Sequence, residues 1–258
     1  MDTSDGCHTV STATSGKRKH LQSIAWPESL LAVRVSTECS SVKELRHRLW
    51  SELPQNSPSS RHRLTSVILG RFFPDKKIEQ LPLRVCMAYQ DDALLASVMG
   101  PLLLLAEPVL GVLFAERLLP LPPGAELAKD FFACYGREVS PTNAKNVARY
   151  CTNAAQSLGW TTRSHSTTYR TQQVMHPTAA LLILHHVYAP MSRSVALDQV
   201  LAEPVWKYLG FSQPDDVRTF FKNLERKGLI ARYAHVDRLE QITTRYALSE
   251  LIERKVRV

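Results

Sequence analysis

The chain has 258 residues, 44% hydrophobic and 22% charged, which is long enough for two or three modules with their own cores and too apolar for a disordered polypeptide. Its 32 Lys and Arg outnumber 24 Asp and Glu, and the resulting net charge of +8 points to a polyanionic partner. The five cysteines (Cys7, Cys39, Cys86, Cys134, Cys151) are widely spaced and form no CxxC pair, so a disulfide framework is not expected and a reducing cytoplasm is the natural setting.

Residues 1–22 are expected to form a disordered polar tail without the apolar core of a signal peptide. The run Lys17-Arg18-Lys19-His20 within it either touches phosphate or is simply solvated. Folded structure begins near Trp26-Pro27. Ser41-Val42-Lys43-Glu44 matches a capping box and predicts a helix over 42–53, closed by Pro54. Ser57-Pro58 opens a second helix reaching Phe72, with Pro74 just past its end. Leu64, Val67, Ile68 and Phe72 are its expected inner face, leaving Arg61, Arg63 and Arg71 available to phosphate.

From Leu81 to Tyr135 the pattern is helical almost throughout. Its punctuation is Pro101, Pro108 and the Leu121-Pro122-Pro123-Gly124 loop, the signature of an α-helical bundle. The apolar run Ala93–Ala106 is only 14 residues, too short for a membrane span, and Gly100-Pro101 is expected to divide it into a buried helix pair. Ser140-Pro141 starts a further helix that Gly159 ends. Ala144, Val147, Cys151 and Leu158 form its inner stripe, while Lys145, Arg149 and Asn153 project elsewhere. Residues 160–173 are rich in Thr, Ser and Arg and predict a β-hairpin or wing carrying Arg163 and Arg170. This helix and hairpin are read equally as a second groove-binding unit or as a plain bundle helix with its loop.

The C-terminal part is the most informative. A short apolar helix after His176-Pro177 precedes a capped helix over 212–227, which Gly228 stops. Leu229-Ile230 opens a strand that returns over 241–248, with Ile242, Tyr246 and Leu248 inward and Thr243 and Arg245 outward. In the helix, Val217, Phe220, Phe221 and Leu224 recur at i, i+3, i+4 and i+7 as a buried stripe. Arg218, Lys222 and Arg226 fall on another face beside Thr219 and Asn223. These are the side-chain types that meet guanine, adenine or phosphate in a DNA groove, and Arg218, Lys222 and Asn223 are the expected base contacts. The turn at Val236-Asp237-Arg238 would place Arg238 on the phosphate backbone.

Charge follows these helices. Residues 34–77 hold nine bases against four acids, 137–173 five against one, and 207–258 eleven against seven, whereas 78–136 holds three against seven. No phosphate loop, dinucleotide fingerprint, nucleophile elbow or HExxH occurs, so neither a cofactor nor enzymatic chemistry is expected. Adjacent His185 and His186 point about 100° apart on a helix and make a poor metal pair; they are expected to be satisfied core or groove histidines. Asp91-Asp92 and Asp215-Asp216 precede helices and read as caps.

The expected fold class is therefore mainly α: a helical bundle with winged helix-turn-helix modules carrying short hairpin wings. It divides into the tail (1–22), a helical domain with helix-turn-helix-like segments (23–173) and a winged helix-turn-helix domain (174–258). The order of elements, with Asn56-Ser57-Pro58-Ser59-Ser60-Arg61-His62-Arg63 and Ser140-Pro141-Thr142-Asn143-Ala144-Lys145 before Leu158-Gly159, resembles the BrxA-like accessory proteins of bacterial BREX and related phage-defence loci. The resemblance spans about residues 42–159. It implies a non-enzymatic subunit that binds double-stranded DNA beside other subunits of a defence complex, whereas the winged module alone fits a transcriptional regulator, with a homodimer compatible with either. The alternative is a protein-interaction scaffold whose winged folds dock partner subunits.

Overall fold

The computed structural model describes residues 24–116, 129, 140–159, 161–164, 167–170, 176–236 and 239–258. The predicted tail, the loop at 121–124, Trp160 and the turn residues Asp237 and Arg238 lie outside them. The protein is mainly helical, with twelve α-helices among the described residues and a small three-stranded antiparallel sheet near the C-terminus.

The first helices follow their caps. α1 (Trp26–Ser36) begins with Pro27 in its first turn. α2 (Val42–Glu52) is capped by Ser41, whose hydroxyl accepts the Glu44 amide, while the Glu44 carboxylate accepts the Ser40 amide. α3 (Pro58–Phe72) is capped by Ser57, whose hydroxyl accepts from the Ser60 amide. The inner face of α3 is Thr65, Ile68, Leu69 and Phe72, whereas Leu64 and Val67 are only half-buried. Arg71 turns inward as well, against the expectation that it faces phosphate. Its side chain has no exposed surface, its Nε donates to Glu107 at 2.7 Å, and its Nη1 donates to the Ile24 carbonyl at 3.1 Å.

α4 (Leu81–Tyr89) leads into α5 (Asp92–Ala106), capped by Asp91. Gly100-Pro101 does not divide α5. A mid-helix proline removes one backbone hydrogen bond, but Leu94, Leu95, Val98 and Met99 before it and Leu103 and Leu104 after it are all buried. Packing on both sides keeps the helix continuous, and the break comes at Glu107, where the chain bends by 110° into α6 (Pro108–Glu116). Among the described residues no single helix is long and apolar enough to cross a membrane. α7 (Pro141–Ser157) buries Ala144, Val147 and Cys151 as its periodicity predicts, with Ala154 and Ala155 added, whereas Leu158, expected in the same stripe, lies just past the helix and is only half-buried; Gly159 ends the turn at φ +72°. β1 (Thr161–Ser164) and β2 (Thr167–Arg170) pair antiparallel, with Thr161 opposite Arg170.

α8 (Pro177–Tyr188) is buried along nearly its whole length. Then come β3 (Ser194–Ala196), α9 (Leu197–Ala202), α10 (Val205–Tyr208), α11 (Pro214–Arg226), β4 (Ile230–Val236), β5 (Leu239–Thr244) and α12 (Leu248–Glu253). The sheet order is β3-β5-β4, with β5 central; Ile242 stands opposite Val195 on one side and Tyr233 on the other. The return strand starts at Leu239 and ends at Thr244, so Tyr246 lies beyond it and Leu248 opens α12. Thr244, not Tyr246, is the buried partner of Ile242 on the inner face: its hydroxyl accepts the Arg193 amide and donates to the Arg193 carbonyl, which satisfies a buried polar group.

Two apolar cores result. One collects α1–α3, α6, part of α7 and Tyr208 of α10; the other collects α4, α8, the three-stranded sheet, α11 and α12. α5 serves both, giving Leu94 and Val98 to the second and Leu95, Met99, Leu103 and Leu104 to the first. The C-terminal segment is fastened to α4 and α5 by polar contacts: the Tyr89 hydroxyl reaches the Leu251 and Val256 carbonyls, and Arg257 meets Asp91 at 2.9 Å. Packing therefore crosses residue 174 freely, and the second core starts at Leu81.

Arg71 and Glu107 fix the start of α1, the end of α3 and the α5–α6 bend relative to one another. Leaving one buried charge without its partner costs about 3–5 kcal/mol, whereas replacing both with apolar groups is often neutral or better. Arg71→Met should lower urea-unfolding stability by that amount, and Arg71→Met with Glu107→Leu should recover most of it; equal losses would show that the pair is not coupled.

Candidate nucleic-acid interface

α11 owes its clear division to sequence spacing. Taking 100° per residue, Val217, Leu224, Phe220 and Phe221 occupy one arc, and all four are buried. The opposite arc holds Thr219, Lys222, Asn223 and Arg226, all exposed. Asp216 caps the helix start, its carboxylate accepting the Ser212 and Gln213 amides at 2.9 Å.

Arg218 belongs to neither arc. Side chains four apart drift by about 40° around a helix, so the 218-222-226 stripe winds away from the hairpin as it ascends. At its lower end Arg218 faces β5. Its Nε donates to Glu240 at 2.8 and 3.0 Å, and Nη1 donates to Asp215 at 2.8 Å. The Glu240 carboxylate also accepts the Tyr233 hydroxyl at 2.7 Å, and two turns further along α11, Glu225 accepts the Tyr233 amide at 3.0 Å. Arg218 is thus a brace between α11 and the β4–β5 hairpin, and the expectation that it meets a base is replaced by a positioning role. The Glu240 side chain is only 10% exposed, and the guanidinium beside it holds its carboxyl below the usual range. Burial, with the Glu240 hydrogen bond second, pushes the Tyr233 phenol up to about 12.

The remaining predicted contacts fall into three groups. Lys222 is exposed, with its ammonium 5.6 Å from the Tyr233 ring centre, and Arg226 donates to the Asn223 side-chain oxygen at 3.4 Å. Arg245 is exposed beyond the end of β5, with its guanidinium beside Gly228, which adopts φ +68° to end α11. None of Lys222, Arg226 and Arg245 forms an ion pair among the described residues. The exposed Arg232 of β4 joins them, a residue that sequence reading passed over although its alternation with Tyr233 on the strand was visible. Arg238 lies outside the described residues.

On α7, Lys145 and Arg149 are exposed; Arg149 donates to Asn146 at 3.3 Å and lies over the Tyr150 ring. Arg163 stands in β1 opposite Thr168. On α3, Arg63 is exposed, whereas Arg61 donates to the Trp50 carbonyl at 2.7 Å and ties α3 to α2. His185 is buried, its Nδ1 donating to the Leu181 carbonyl at 2.9 Å, but its Nε2 has no partner among the described residues, where the expected satisfaction is only half met. Burial holds both His185 and His186 below the usual imidazole range. Among the described residues no group of three or more His, Cys, Asp or Glu is placed to hold a metal ion.

The brace has a pH signature. A carboxyl depressed in the folded state contributes stability that is complete above its ordinary value of 4.5 and is lost as pH falls through the lower folded value. Glu240→Gln should remove that acid-side loss and cost about 1–3 kcal/mol at neutral pH. Thermal unfolding of both proteins between about pH 3 and 7 checks it; an unchanged acid limb in the variant would refute the brace.

Compared with protein-family models, with curated proteins and with solved structures, the chain matches none.

Proposed function

We propose that residues 177–258 form a winged helix-turn-helix module that binds double-stranded DNA, with the outer arc of α11 in the major groove and the β4–β5 hairpin along the flanking backbone. The observation that carries this reading is the order helix, strand, paired helices, helix, hairpin closed by a β3-β5-β4 sheet, with Lys222, Asn223, Arg226 and Thr219 turned outward on α11. Gly210, at φ +93°, makes the tight turn between α10 and α11 that such a motif needs. Lys222 and Arg226 supply charge, and Asn223 supplies the paired donor and acceptor that suit an adenine edge. Arg232 and Arg245 add phosphate contacts, and Lys145 and Arg149 on α7 offer a second basic helix. Binding is the whole activity in this reading. The chain acts as a regulator or, following its resemblance to BrxA-like proteins, as the DNA-engaging accessory subunit of a phage-defence assembly.

Docking of a protein partner on the same module is the competing reading. It is favoured by Met191, on the loop between α8 and β3, and Leu239, the first residue of β5, each 71% exposed at the sheet's margins.

A labelled random duplex titrated with the full chain separates the two. DNA binding predicts an affinity that falls about 100-fold between about 50 and 200 mM salt if roughly four phosphates are neutralised. Lys222→Ala with Arg226→Ala should lower the slope of log affinity against log salt by about 2, while Asn223→Ala should relax base preference at about one position. No binding at low salt would sink the proposal in favour of protein docking.

A further inference from the structure

We propose that the outward face shared by α2 and α3 is a second nucleic-acid surface, built to take a single-stranded segment. It stands independently of the reading of α11.

The argument starts from how α2 distributes its charge. Lys43, Arg46, His47 and Trp50 recur at i, i+3, i+4 and i+7 and therefore share one flank. Glu44, Arg48 and Glu52 share the other, with the buried Val42, Leu45 and Leu49 beneath. The acids are consumed on their own side. Arg48 meets Glu38 at 2.7 Å and Glu52 at 3.1 Å, and Glu44 caps Ser40. α3 carries no acid at all, and its Ser59, His62, Arg63, Ser66 and Gly70 line up along the flank next to α2. Arg46 reaches the Ser66 hydroxyl at 3.4 Å across the joint. Lys43 and Arg63 are exposed without an ion pair among the described residues.

At the centre of this acid-free face is a ring cluster. The His47 ring meets Trp50 edge-on at 5.1 Å, and His62 lies over Trp50 at 5.5 Å with only 32° between the planes. Both imidazoles are exposed. Rings ordinarily earn burial; here two exposed imidazoles pack on a half-buried indole and are bordered by cations. Duplex DNA keeps its base faces stacked inside and offers this cluster little beyond phosphate. An unpaired base offers a free π-face, and alternating cations and aromatic platforms are what bind single strands without regard to sequence. The Arg61 bond to the Trp50 carbonyl holds the two helices in register, so the platform is formed before a ligand arrives.

The test uses the full chain and a labelled oligothymidine of about 20 nucleotides, followed by anisotropy beside the random duplex. Oligothymidine should bind, more weakly as salt rises. Lys43→Glu with Arg63→Glu should lower its affinity by about tenfold or more, and His62→Ala by about fivefold, while His62→Phe stays within about twofold because it keeps a stacking face. Duplex affinity should change by less than about twofold in these variants, and the Lys222 and Arg226 double variant should spare oligothymidine binding. Three results would overturn the proposal: no oligothymidine binding at low salt, equal losses with His62→Ala and His62→Phe, or loss of oligothymidine binding on substitution in α11. Because the substituted side chains are exposed, circular dichroism should report an unchanged helix content in each.

Discussion

α5 has no polar face to spare, and the molecule is organised around that fact. A helix that is apolar on nearly every side has to be covered on nearly every side, and 92–106 is covered by lying between two cores, with Asp92, Ala93 and Leu105 left at the surface. One side of α5 packs with α3 and α6, the other with α8, and Leu102 is shared between the two clusters. Neither core is complete without it. The proposed DNA-binding module therefore begins, in physical terms, well before its first helix, since Leu81, Val85, Tyr89, Leu94 and Val98 supply a wall of its interior. The Pro101 that sequence reading took for a break is tolerated for the same reason. Burial of the flanking leucines outweighs one missing hydrogen bond.

Local signals were legible wherever the determining chemistry is local. Ser41, Ser57, Asp91 and Ser140 each cap the helix that their spacing announces, and the Val217, Phe220, Phe221, Leu224 stripe is buried as its period requires. What escaped was decided at a distance. Ser194–Ala196 is three residues with no pattern of its own and becomes a strand only because β5 pairs with it. α9, α10 and α12 are four to six residues each, too short for periodicity to register. Charge was the least legible property. The sequence shows that Arg71 and Arg218 are basic, but the acids through which they brace other elements stand 36 and 22 residues away, and nothing in local spacing selects Glu107 or Glu240 over other acids.

That distinction between spent and unspent cations matters more than the net charge of +8. Arg48, Arg71, Arg218 and Arg257 are engaged with carboxylates; Arg71 and Arg218 each hold two elements together, Arg257 ties the C-terminal segment to the start of α5, and Arg48 is neutralised beside its own helix. Lys43, Arg63, Lys222, Arg232 and Arg245 are not so engaged among the described residues, and they gather on α2–α3 and on the α11–hairpin side. α2 displays both uses on one helix, with a self-neutralised flank and a bare one. A count of lysines and arginines cannot make this separation, because a pair within reach of a buried acid gives up its long-range field.

Gly111, early in α6, sits where any side chain would overlap the hydroxyl of the buried Tyr208 and crowd the Leu104 carbonyl. Positions 111 and 208, far apart along the chain, are therefore bound to a common history: the tyrosine can persist only while its neighbour stays bare, and a bulkier residue at 111 becomes admissible only after the aromatic at 208 has shrunk. Comparing sequences of descendants that share this architecture, one would look for these two sites to change together or not at all.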